Sequence, residues 1–163
     1  MDIAVARPVV GPLRRILSIL LPLVLLFGCA DFVPKFEAAS HDRITAVSRE
    51  ILGIYQELLS RPPNARHAKA IELQPRYDQV ATDLRLHRLI EESRSNNGAA
   101  VRITDILLET LQESRADQLS GDPRALSNAS LELQRDQLER QLLAALKGEE
   151  AKKLADPNAG GAA

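Results

Sequence analysis

An all-α fold, an antiparallel up-down four-helix bundle, is what this sequence predicts for most of its length. Past residue 35, apolar residues recur at intervals of three and four in almost every segment. No stretch keeps up the strict alternation of a half-buried strand. Clusters bearing proline or glycine cut the helical pattern into four runs with short connections, and short connections make consecutive helices antiparallel neighbours.

The first run carries Ile44, Val47, Ile51, Ile54 and Leu58 on one stripe, which Leu52, Tyr55 and Leu59 widen into a core-facing surface. Pro62-Pro63 ends it, because proline supplies no amide proton and pushes the residue before it out of the helical region. Asn64 is the expected cap of the second helix, whose face is Leu73, Tyr77, Val80, Ala81 and Leu84. Pro75 interrupts that helix and predicts a kink or a fresh start.

Asn96-Asn97-Gly98 offers a left-handed residue to close the second helix. The third presents Ile103, Leu107 and Leu111, flanked by Ile106 and Leu108. Ser120-Gly121-Asp122-Pro123 is the clearest punctuation: Gly121 stops the third helix, Asp122 caps the fourth, and Pro123 fits its first turn. The fourth helix carries Leu131, Leu138, Leu142 and Leu146 and fades through Gly148 into Lys152-Lys153. The bundle is thus expected over 36–155, with a small-residue polar tail at 156–163 that buries too little surface to order itself.

Two groups fall off these stripes. Leu86, Leu89 and Ile90 lie largely opposite Val80 and Leu84, and Leu126, Ala129 and Leu133 are rotated away from Leu138 and Leu142. Either the helices bend enough to bring them to the core, or Leu86, Leu89, Ile90, Leu126 and Leu133 form a candidate interaction patch for a partner or a second copy.

The first thirty residues read differently. Arg7, Arg14 and Arg15 precede an apolar stretch at 16–27 broken by Ser18 and Pro22. That order is a secretory signal, and about a dozen residues fall short of the roughly 20 that span a bilayer as a helix. Leu26-Phe27-Gly28-Cys29 closes the stretch. It resembles the lipobox of bacterial lipoproteins, with Leu26 three places before the cysteine, Gly28 immediately before it and Cys29 as acceptor. The resemblance implies a signal peptide at 1–28, diacylglycerol on the Cys29 thiol, and a lipidated N-terminus with a short tether at 29–35. It also implies an outer-membrane location on the periplasmic face rather than the inner membrane, because Ala30 and not an aspartate follows the cysteine. Phe32 and Phe36, beside this tether, either touch the membrane interface or plug one end of the bundle.

Cys29 is the sole cysteine, so a chain lipidated there has no thiol left for a disulfide. Loss of Asp2, Arg7, Arg14 and Arg15 with the signal leaves 18 basic against 21 acidic residues, about −3. That balance argues against nucleic acid as a partner.

Catalytic motifs are sparse. Ser40-His41-Asp42 has the letters of a triad, but consecutive helical residues point about 100° apart, too far to relay a proton among themselves. No glycine-rich phosphate loop follows a strand pattern. His87 has Asp83 and Glu91 four residues to either side and would need Glu109 or Glu113 from another helix to hold a divalent cation; helical ion pairing at a solvated edge is the plainer reading. Arginines such as those at 43, 49, 76, 85, 88, 94, 102, 115, 135 and 140 are spread evenly among acids, which suits interhelical bridges.

The sequence therefore leads to expectations of no enzyme activity, no cofactor and no metal. It points to a membrane-tethered bundle acting by contact with an envelope protein, with homo-oligomers open. The alternative is a sensor or carrier that holds a small molecule or ion, against which the shortage of aromatics, two Tyr and three Phe, weighs mildly.

Overall fold

A computed structural model describes residues 34–156. Leu26, Phe27, Gly28, Cys29 and Phe32 lie outside the described residues, as does the tail from 157 onward. Among the described residues all regular structure is helical: α1 (Ala38–Leu59), α2 (Pro63–Glu72), α3 (Gln74–Glu92), α4 (Gly98–Leu119) and α5 (Asn128–Ala155). None of these helices is long and apolar enough to cross a membrane.

Pro75 makes a fresh start. It splits the expected second helix into α2 and α3, with only Leu73 between them. As the second residue of α3 its missing amide proton costs nothing, while Leu73 keeps the chain continuous: its N–H reaches the Lys69 carbonyl at 3.0 Å and its own carbonyl accepts from Arg76 at 3.0 Å. Two expected caps are displaced. α2 opens at Pro63 after Pro62, with Asn64 already inside the helix. Gly121 does take the left-handed conformation, φ 74°, but Asp122 caps a turn, accepting from the Arg124 N–H at 2.8 Å. α5 begins only at Asn128, where the Ser127 hydroxyl accepts from Ser130 N–H at 3.2 Å. Between α3 and α4 the left-handed residue is Asn96, φ 65°, and Gly98 is already helical.

α1 packs on α3 and α5, and α4 packs on the same two helices, so the four long elements meet in a closed ring; short α2 lies against α4, α1 and α3. Ile44, Ile51, Ile54 and Leu58 from α1 join Tyr77, Val80 and Leu84 from α3, Leu107 and Leu111 from α4, and Leu131, Leu138 and Leu142 from α5 in one core. Fully burying each such side chain contributes about 1.5–3 kcal/mol.

The buried polar groups around Gln118 are paired. Gln118 is wholly buried: it accepts from the Tyr77 hydroxyl, while its amide nitrogen reaches Gln134 at 2.9 Å and the Tyr55 oxygen at 3.3 Å. Burial pushes the Tyr55 hydroxyl up to about 12 and that of Tyr77 further, so both keep their protons. On the flank of α1, Arg76 spans Glu50 and Glu57, and it lies so close over Gly53 that a β-carbon there would stand 3.1 Å from the guanidinium.

Arg66 closes the other end of α1. It is 2 % exposed, and its guanidinium donates to the carbonyls of Leu58 (3.2 Å), Arg61 (2.9 Å) and Leu126 (2.7 Å) and to the Asn128 amide oxygen. The last carbonyls of a helix have no partners within it and carry the negative end of its dipole, so one buried cation satisfies the end of α1 and clamps the turn before α5. Arg66→Ala strands these acceptors and should destabilise the fold by about 2–4 kcal/mol. Arg66→Lys should recover little, since a single ammonium cannot span the fork. Urea unfolding of the three chains measures this, and equal midpoints for Arg66→Lys and the parent would refute the role.

Candidate functional site

The densest chemistry lies where the start of α1, the end of α3 and the last turns of α5 converge. Glu91 is wholly buried there. One of its oxygens accepts from the Ser40 hydroxyl of α1 and from Arg94 at 2.9 Å; the other accepts from Lys152 of α5 at 2.8 Å. Lys152 also reaches Glu149 at 2.5 Å, and His87 Nδ1 stands 3.5 Å from the Ser40 oxygen. Ser40, His87, Glu149 and Lys152 are 1, 2, 2 and 6 % exposed. Two carboxylates against Lys152 and Arg94 leave the cluster near neutrality when His87 is uncharged.

Arg94 also holds the segment leading into α1. Its second amino group donates to the Lys35 carbonyl, and Glu37 lies 3.4 Å away. Phe36 stands half-buried in this segment rather than in a helix, with the Lys153 ammonium 5.9 Å over its ring. Residues 34–37 thus lead straight into the buried cluster.

Ser40, His87 and Glu91 have the side chains of a hydrolytic triad in a different order. A triad needs serine to give its proton to histidine, with the carboxylate behind the ring. Here Ser40 gives its proton to Glu91 and sits between the other two, which requires His87 to donate through Nδ1. Lys152 and Arg94 already neutralise the carboxylate, and Ser40 has no surface from which to meet a substrate. The arrangement is a clasp: it joins three helices and a leading segment through hydrogen bonds that no single element could satisfy.

The same environment sets the charges. Burial holds the His87 imidazole below its ordinary value, helped by Arg43, Lys152 and Arg94 and opposed by Glu91. For Glu91, burial alone would raise the carboxyl; the bonds from Lys152 and Ser40 and the charge of Arg94 outweigh it and bring it below the usual value.

The sequence-derived candidates fall in different places. Leu86 and Leu89 are 46 and 59 % exposed on α3, Leu133 is 65 % exposed on α5, and Ile90 is half-buried. Leu126 has to be removed from the candidate patch: it is 3 % exposed, because the turn from Asp122 folds back, with Leu126 N–H on the Asp122 carbonyl at 3.3 Å, and turns its side chain inward. His87 is no solvated edge residue but belongs to the cluster; Glu91 is beside it, whereas half-buried Asp83 binds Gln79 at 3.0 Å instead. Among the described residues no three His, Cys, Asp or Glu side chains gather as a metal site. His41 and Asp42, apart from buried Ser40, lie toward solvent.

Sequence reasoning missed Glu149 and Lys152 as partners of Glu91. A signal was there: Leu84, His87 and Glu91 step by three and four, as do Leu138, Leu142, Ala145, Glu149 and Lys152, so the core stripe runs into polar residues at one end. No protein-family model, curated protein or solved structure matches the chain.

A pH dependence follows. The unfolded chain takes up the His87 proton near the ordinary 6.5, while the folded protein does so only at lower pH. Between those values the unfolded state binds more protons, so stability falls as pH drops below 6.5 and levels off under the folded value. Glu91 adds a second loss: its contribution is complete above the ordinary 4.5 and disappears as pH falls through its lowered value. Urea midpoints should be flat above pH 6.5 and decline below it, and His87→Asn should remove the first decline while leaving the second. A parent midpoint unchanged from pH 7.5 to 5 would sink the assignment.

Proposed function

We propose that the chain is a lipid-anchored envelope protein: an antiparallel up-down bundle of four long helices, held at the periplasmic face of the outer membrane through Cys29 and acting by contact with another envelope protein rather than by catalysis. The observation that carries this reading is Leu26-Phe27-Gly28-Cys29, placed a few residues before a packed helical unit that begins at Pro34. Two supports come from the helical unit. Its buried polar side chains are largely spent on one another, as in the Glu91 cluster and around Gln118. Its exposed large apolar side chains, Leu86, Leu89, Leu133 and Leu143 among them, lie on outer helix faces, where a partner would find them.

The ring of contacts among α1, α3, α4 and α5, with short connections between consecutive helices, favours the up-down course. Two or three acyl chains suffice for durable attachment, since each buried methylene adds about 0.8 kcal/mol and stable anchoring takes more than one chain.

Expressed in a bacterium, the parent chain should sediment with membranes and incorporate an alkyne-tagged palmitate. Cys29→Ser should lose the label and either leave the membrane fraction or accumulate uncleaved. A Cys29→Ser chain that is still cleaved and still labelled would defeat the anchor.

A further inference from the structure

The outer sides of α1 and α5 meet along a furrow. It consists of two adjoining recesses of about 530 and 450 Å³ that share Leu52 and Glu139. Ser48, Leu52, Gln56 and Ser60 line it at four-residue spacing, which at 1.5 Å per residue gives a length of about 18 Å along α1. Its walls are apolar at Leu52, Leu59 and Leu146, and Leu143 stands at its edge, 51 % exposed.

The rim carries four charges, Arg135, Asp136, Glu139 and Arg140, two of each sign. Arg135 and Asp136 pair with each other at 2.9 Å. Among the described residues, neither Glu139 nor Arg140 belongs to an ion pair, and both are exposed. Leu143 follows Glu139 by four residues and Arg140 by three, so this acid and this base flank the same exposed leucine on opposite sides. A wholly acidic or wholly basic partner would meet like charge on one of the two flanks. A surface with an apolar ridge and one charge of each sign beside it matches its own copy.

We propose that the α1/α5 face is a homodimer interface, with Leu143 of each copy meeting the other's furrow and Glu139 of one facing Arg140 of the other. The two α5 helices run in the same direction, because side-by-side parallel helices bring opposite flanks together, whereas antiparallel ones would set Glu139 against Glu139. Parallel packing also puts both chain starts at one end, as two anchors in one leaflet require; that last point alone rests on the lipid-anchor reading.

Sedimentation of the full chain in detergent tests it. The parent should dimerise, and Leu143→Arg should weaken the dimer roughly tenfold or more. E139R and R140E should each weaken it, while E139R/R140E together should restore it, since the swap recreates the pair. Unchanged far-ultraviolet circular dichroism in all four variants separates lost contact from lost fold. A monomer at every concentration overturns the proposal, as does a dimer indifferent to Leu143→Arg, a double swap that does not restore association, or capture of a different envelope protein on this face by a monomeric chain. The Cys29→Ser chain should dimerise like the parent. Association that vanishes with the lipid overturns the interface, whereas a Cys29→Ser chain that is still lipidated defeats the anchor alone.

Discussion

A carboxylate taken wholly out of water, that of Glu91, is the constraint around which the helices are arranged. An unpaired charge in such a place would cost several kcal/mol. The chain answers it with Ser40 from α1, Arg94 from just beyond α3 and Lys152 from near the end of α5. Each of those contacts is satisfied only if its helix is set to within a hydrogen-bond length. Leucine stripes alone do not impose this, because an apolar face shifted by a turn still buries most of its area. Hydrocarbon in place of the cluster could hold as much free energy, so what the polar group adds here is register. The same logic recurs along α1: Tyr55 meets Gln118, and the Leu58 carbonyl meets Arg66. Three polar locks therefore index the helices against one another: the Glu91 cluster at one end, and Gln118 and Arg66 toward the other.

The clasp also ties the leading segment to the core. Arg94 donates to Glu91 and to the Lys35 carbonyl, so a displacement of residues 34–37 reaches a buried ion pair through one side chain. Glu149 keeps one oxygen buried without a hydrogen-bond partner, and the Asn97 side-chain amide is likewise buried and unpaired among the described residues. Each such group costs about 1–3 kcal/mol. The end of the helical unit that holds residues 34–37 is thereby strongly cross-linked and locally costly at once, and local opening concentrates where stability is low. The opposite end, where Arg66 donates to five acceptors, has no comparable deficit among the described residues.

Much of the core was legible in the sequence because burial follows the 3.6-residue period. Ile44, Val47, Ile51, Ile54 and Leu58 are all buried, as are Leu73, Tyr77, Val80, Ala81 and Leu84. Proline placement was legible too, since Pro75 acts through its own missing proton and ring. What failed depended on chain reversal or on partners far along the sequence. For Leu126 the helical period left two readings, core or exposed patch; the helix begins only after Ser127, and the turn before it carries Leu126 into the interior. His87 and Glu91 were paired correctly as neighbours and wrongly as solvated ones, because their burial is decided by Ser40 and Lys152, 47 and 61 residues away from His87 and Glu91. No local pattern encodes that distance. Periodicity carried a hint all the same, since polar residues on a core stripe are a demand for partners.

The division of labour between interior and exterior bears on how such a protein works. Its buried titratable groups face one another: a ligand or proton that sought Glu91 would have to displace Lys152 and Arg94, and Tyr55 and Tyr77 hold their protons far above neutral pH. The interior is organised for shape, and chemistry there is reached only through opening. The outer faces are left with leucines that the core does not use and with charges such as Glu139 and Arg140 that form no salt bridge among the described residues. Covering those side chains against another surface would take apolar area out of water and so lower the free energy of this chain.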